Sequence, residues 1–166
     1  MKIKKLAVAV GCTAFLCGCT QSNIVQPETY GPDFNVYFDV EINQEQVRDD
    51  VEDIFLDPED YPMGVQIDVD MNLEEEQVNI TVVVKDDTTP EAAAQYTMEV
   101  IKGINDQVAV QDFSYGESGD DTYGGLYQDN VINLKIYKQS EYEADGEPMY
   151  EKQIPKDEYL EIVIAE

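Results

Sequence analysis

The densest group of residues able to do chemistry lies between Asp112 and Asp129. Asp112, Glu117, Asp120, Asp121 and Asp129 stand there among four glycines. Carboxylates on a pliable backbone suit a hard cation such as Ca²⁺, which takes about six to eight oxygen ligands from side chains, carbonyls and water. These five are the candidate metal ligands, although their spacing matches no established calcium loop, and a solvated acidic loop is the competing reading. Tyr115, Tyr123 and Tyr127 share the segment, in a chain with eleven Tyr and no Trp. Ring faces beside carboxylates could bind a sugar or a cationic peptide. They could equally pack over sheet edges with their hydroxyls in water.

Other chemistry is weaker or absent. Asp68, Asp70 and Asn72 open like a calcium loop, D-x-D-x-N, but Leu73 and Asn79 stand where that pattern needs Gly and Glu. The acid pairs Asp49-Asp50, Glu52-Asp53 and Glu59-Asp60 could in principle do hydrolase chemistry at a fixed separation. With 36 Asp+Glu in the chain, chance pairs are abundant. There is no His, so Ser114, Ser118 and Ser140 have no imidazole base, and no phosphate-cradling Gly-Lys-Ser/Thr motif is present. A non-enzyme is therefore expected, and a carboxylate-dependent hydrolase is the remote alternative.

The N-terminus carries its own chemistry. Lys2, Lys4 and Lys5 precede an apolar run, Leu6 to Leu16, shorter than the ~20 residues a bilayer-spanning helix needs. Leu16-Cys17-Gly18-Cys19 follows, with Leu three residues before Cys19 and a small residue just before it. This resembles the lipobox of bacterial lipoproteins. The resemblance implies that signal peptidase II removes residues 1–18 and that the Cys19 thiol carries a diacylglycerol, with palmitate-type chains as the anchor. An ordinary secretory leader is the competing reading. Cys17 and Cys12 fit the pattern less well, since Cys17 would follow Leu16 and Cys12 would leave too short an apolar run. The resemblance also implies attachment to the cell membrane on its extracytoplasmic face, as part of the cell envelope. Two or more chains hold stably, at about 0.8 kcal/mol per buried CH₂.

Charge bounds the partners. With 10 Lys+Arg the formal net charge is −26, and losing Lys2, Lys4 and Lys5 with the leader makes it more negative. Phosphate backbones require a cationic surface, so nucleic acid is not expected as a partner. Anionic headgroups would repel the domain too, while cationic proteins or peptides would be drawn to it. Yet 43% of residues are apolar, enough for a core rather than a disordered acidic tail.

The elements that must position these groups follow from periodicity. Residues 19–33, the lipidated Cys and a Pro- and Gly-containing stretch, read as a tether, and 34–166 as a single acidic α+β domain. Phe34 to Ile42 alternates as a strand. Asn43 and Gln46 open a helix with Val47, Val51, Ile54 and Phe55 on one face, stopped by Asp57-Pro58. Val65 to Leu73 and Val78 to Val84 form a hairpin around a turn at Glu74–Gln77. Thr89-Pro90-Glu91 starts a second helix, with Ala93, Val100, Ile101 and Ile104 inward and Gly103 and Asn105 weakening its end. Val108 to Tyr115, Val131 to Tyr137 and Tyr159 to Ala165 read as strands, and Gly116–Asp129 and Glu141–Pro148 as loops.

The order predicts a ferredoxin-like β-α-β-β-α-β core with two additional C-terminal strands, helices covering one face of a mainly antiparallel sheet. It is similar in topology to small alkaline-shock-type domains and some spore-coat-associated lipoproteins, with no shared motif and no residue role implied. The expected function is a membrane-anchored, non-catalytic interaction or envelope module. A calcium-binding or carbohydrate-binding surface domain is the alternative.

Overall fold

A computed structural model describes residues 40–165. The leader, Cys19, the tether and Phe34 to Asp39 of the first expected strand lie outside the described residues. Residues 40–42, inside that strand's expected range, are not in a strand.

Helix α1, Gln44–Phe55, begins where expected: the Asn43 side-chain oxygen accepts from the Gln46 N–H at 3.1 Å. That bond satisfies one of the first orphan amides of the helix. Val47, Val51 and Phe55 are buried, a stripe of strict four-residue spacing. Ile54, expected on the same face, is 42% exposed. It sits about 100° around the helix from Phe55, beyond what the underlying layer covers.

The hairpin forms as read. Strand β1, Gly64–Asn72, pairs antiparallel with β2, Gln77–Val84. Helix α2, Pro90–Gln111, starts on a Thr89 cap whose Oγ1 accepts from Ala92 N–H at 3.2 Å. It then runs past its expected end. The strand expected at Val108 to Tyr115 is instead the last turn of α2 and the loop beyond it. Ile101, Ile104 and Val108 continue the buried helical stripe, while Val110 and Phe113 face solvent, Phe113 at 90% exposure.

Gly103 and Asn105 do not end the helix, because each serves a neighbour. A Cβ at Gly103 would fall 2.2 Å from the Phe55 ring, so the glycine lets α1 lie close to α2. Asn105 is fully buried and bonded to the following loop. At the other end, Asn43 N–H donates to the Gln111 side-chain oxygen at 2.7 Å and Tyr96 donates to the Phe55 carbonyl at 2.9 Å. The two helices therefore run in opposite directions.

After α2 come a short helix α3, Leu126–Asp129, strand β3, Val131–Lys138, a short helix α4, Gln139–Glu143, and strand β4, Tyr150–Ile154. The fold is a mixed α/β one with a four-stranded sheet in the order β1-β2-β3-β4. The β1/β2 and β3/β4 pairs are antiparallel and β2/β3 is parallel, so the sheet is mostly antiparallel. A parallel pair needs a long crossover, and the segment from β2 to β3 containing α2 supplies it. A split arrangement would place another strand between the two parallel ones. Here β2 bonds to β3 directly from Gln77↔Val131 to Val84↔Lys138.

The final strand expected over Tyr159 to Ala165 is absent. That segment has no strand pairing, with Ile162 buried and Leu160 and Ile164 packed against the core. The edge strand beside β3 is β4, which carries Glu151, Lys152 and Gln153 in succession and has too few apolar residues to read as a strand. An exposed edge of this kind commonly bears charge, which discourages edge-to-edge pairing.

The core lies on one sheet face. The register stacks apolar rows across it: Ile67–Val82–Ile136, Val69–Ile80–Leu134 and Met71–Val78–Ile132–Ile154, all buried. Burial of side chains this size contributes about 1.5–3 kcal/mol each. The opposite face carries a polar row, with Val83 buried toward one end. Asn79 donates to Asp70, Asn133 to Asn79 and Gln153 to Asn133, at 2.9–3.0 Å, a row of side-chain bonds that crosses all four strands.

Candidate functional site

The acidic, glycine-rich segment is fastened to α2 from below. Asn105 donates through Nδ2 to the Gly116 carbonyl at 3.0 Å and accepts through Oδ1 from Leu126 N–H at 2.9 Å. Asp106 accepts from the Ser118 N–H at 2.7 Å and from its hydroxyl at 2.8 Å. Gly124 has φ of +107°, and a Cβ there would lie 1.9 Å from the Asn105 amide nitrogen. Its positive φ and the close approach both require glycine. Asn105 and Asp106 carry this architecture, and the sequence reading missed their role. The available signal was a polar pair continuing an apolar helical stripe.

The five candidate metal ligands are spread along the loop. Asp112 caps its own turn, accepting from Ser114 N–H at 2.9 Å, and Glu117, Asp120, Asp121 and Asp129 are exposed. Among the described residues, no three or more Cys, Asp or Glu side chains are grouped closely enough to hold a metal ion. Asp68, Asp70 and Asn72 lie along β1, with Asp70 in the polar row of the open face.

The tyrosines do meet, but inside. Tyr123 and Tyr127 are buried, their rings 6.2 Å apart edge to face. Tyr127 donates to the Ile101 carbonyl at 3.0 Å and Tyr123 to the Leu160 carbonyl. Burial raises both hydroxyls above the ordinary tyrosine range, with smaller contributions from neighbouring tyrosines. One hydroxyl thus ties the loop to α2, and the other ties the C-terminal segment to the loop. Tyr115 is half-buried, and its hydroxyl is raised by burial and then by the charges of Asp112 and Asp129.

The loop borders a small, half-open pocket of about 120 Å³, walled by Asp121, Tyr123, Tyr127, Asp157, Glu158 and Tyr159. Tyr159 packs 4.9 Å from Tyr123. The chain supplies a cation here: Lys102 Nζ stands 5.4 Å from the Tyr159 ring centre and donates to the Gly119 carbonyl at 2.5 Å. The Lys102 ammonium thus supplies positive charge to the Tyr159 ring, which also borders the pocket.

On the opposite sheet face, α4 sets Tyr142 over one end of the sheet. Its hydroxyl donates to Asp68 at 3.0 Å and accepts from the Gln66 amide at 3.1 Å, and its ring lies 5.5 Å from Tyr137. Charges are otherwise sparsely paired. The ion pairs among the described residues are Lys135–Glu151, at 3.4 Å, and Lys156–Glu76.

No helix among the described residues is long and apolar enough to cross a membrane. Comparison with protein-family models, with curated proteins and with solved structures found no match to this chain.

Proposed function

We propose that the chain is a lipid-anchored, extracytoplasmic interaction module, non-catalytic, that meets cationic protein or peptide partners through its carboxylates. The supporting observation is the charge balance: a net of −26 over the chain, with two ion pairs among the described residues. Carboxylates without an internal counter-charge keep their field for a partner. That field extends about 8–10 Å at physiological salt. The lipobox-like Leu16-Cys17-Gly18-Cys19 and the tether through residue 33 support the anchored placement. A domain this acidic is repelled by anionic headgroups and stands off the membrane on its tether. In architecture, we read the run α1-β1-β2-α2 as keeping the ferredoxin-like order of elements, completed by a directly paired β3.

The test has two arms. Calorimetry with a deca-lysine peptide is expected to show binding that weakens steeply as NaCl is raised from low to high concentration. Affinity independent of salt would overturn the charge-led reading. Mass analysis of the membrane fraction is expected to find diacylglycerol on Cys19, and Cys19→Ser is expected to release the protein. An unmodified thiol with the leader still attached would overturn the anchor.

A further inference from the structure

A second aromatic pocket lies between the α1–β1 connection and α2. Its volume is about 200 Å³, and its walls include Asp60, Tyr61, Met63, Gln95, Tyr96 and Glu99. Tyr61 stands at the middle of a ring stack, 5.0 Å from Phe55 and 5.6 Å from Tyr96. The backbone and one hydroxyl here are tied down. Tyr61 N–H donates to the Asp57 carbonyl at 2.8 Å and its own carbonyl accepts from Gly64 N–H at 3.1 Å. The Tyr96 hydroxyl is committed to the Phe55 carbonyl. A Cβ at Gly64 would lie 2.5 Å from that hydroxyl, so glycine keeps the ring in place.

The electrostatics have one sign. The Tyr61 hydroxyl is pushed up first by burial, then by the neighbouring Glu99 carboxylate and the charge of Asp60. Glu99 accepts a neutral amide bond from Gln95 at 3.2 Å. Neither Glu99 nor Asp60 belongs to an ion pair among the described residues. The contrast with Tyr159 is informative. There, ring and acids come with Lys102 from the chain itself. At Tyr61 the rings and acids are present, and no cation–π contact is found there among the described residues.

We propose that this pocket receives the alkylammonium end of a lysine side chain from a cationic partner. Ring faces and the Met63 thioether would cover the methylene stem, while Glu99 and Asp60 would meet the ammonium. The assignment rests on the cationic-partner reading above, and it adds a defined seat to a diffuse attraction.

The probe is n-butylammonium chloride, added to the full chain while the Tyr61 and Tyr96 ring resonances are followed by NMR. n-Butanol and NaCl at matched concentration are the controls. Saturable shifts of these rings with butylammonium, and none with either control, are expected. Glu99→Gln is expected to weaken the apparent affinity about fivefold, the upper range for one exposed charge pair. Asp60→Asn, at an exposed loop position, provides a second variant if Glu99→Gln perturbs the helix. Equal shifts with butanol, or unchanged affinity in both variants, would overturn the pocket. Deca-lysine could still bind in that case, and the broader reading would stand. Butylammonium binding without deca-lysine binding would overturn both readings, because a seat for a partner's lysine must accept lysine within a peptide.

Discussion

Gly103 shows how one residue's meaning depends on its neighbour. In an isolated helix, Gly→Ala gains about 1 kcal/mol. In this fold the added methyl would meet the Phe55 ring at 2.2 Å. Gly103→Ala is therefore expected to destabilise by about 1–3 kcal/mol, the usual range for overpacking, read as a lower denaturant midpoint. Phe55→Leu, which trims the ring, is expected to make the second change much less costly, giving a clear coupling in a double-mutant cycle. Additivity would show that the helices do not meet there. The sequence reading took Gly103 as a weak helix end because only its propensity is local. The partner 48 positions earlier in the chain is not. Buried hydroxyls offer a second test. Tyr96, Tyr123 and Tyr127 are all raised above the ordinary value by burial. A group whose folded pKa is raised stabilises fully below its unfolded value and loses that contribution as pH climbs towards its folded one. Stability is thus expected to hold up to about pH 10 and to fall above it. Tyr127→Phe, which keeps the ring, is expected to shallow that alkaline slope in a series of denaturation curves. An unchanged slope would place the Tyr127 hydroxyl in water.

Elements with a two- or three-to-four-residue rhythm and strong caps were readable. Asn43 and Thr89 cap as their side chains predict, and the hairpin from Gly64 to Val84 keeps its alternation. The end of α2 was not readable. Val108, Ala109 and Val110 resemble a strand by residue type, and only the phase of Ile101, Ile104 and Val108 argues for helix. Tyr159 to Ala165 failed differently. Its alternation of inward and outward residues is real, with Ile162 buried, but it packs without a strand partner. Period two reports one covered face and says nothing of what covers it. Beneath the acidic loop, Asn105 holds both Gly116 and Leu126. Replacing it with Ala leaves the buried Leu126 N–H without its partner, at a cost of about 1–3 kcal/mol, while the Gly116 carbonyl keeps its bond from Gly125 N–H at 2.9 Å. Asn105→Ala is expected to destabilise by about 1–3 kcal/mol or to free residues 116–126 locally, seen as faster amide hydrogen exchange there than in the sheet. Protection unchanged across the loop would mean that the tyrosine anchors alone fasten it.

For the chain taken together, net charge was readable from composition and sheet order was not. Which strands touch depends on the α2 crossover returning β3 directly beside β2, a long-range fact that no local pattern encodes. The Tyr–Gly–Asp segment borders a half-open pocket, two of its tyrosines serve as internal fasteners, and Lys102 stands against the Tyr159 ring, contacts that no local pattern encodes. Charge leads to the remaining prediction. A fold held largely by ion pairs loses stability as salt screens attraction. This one has a net charge of −26 and two ion pairs among the described residues, both partly exposed. Exposed pairs contribute about 0–1 kcal/mol each, whereas self-repulsion at high net charge opposes the compact state. Expansion on unfolding moves like charges apart, so screening removes more penalty from the native state than from the unfolded chain. Raising NaCl from about 0.01 M to 0.15 M shortens the Debye length from about 30 Å to 8 Å, and the melting temperature is expected to rise by several degrees over that interval. Glu76→Gln, which removes one of the two pairs, is expected to leave that rise in place. A melting temperature that falls with added salt would show that attraction, not repulsion, governs the fold's charges.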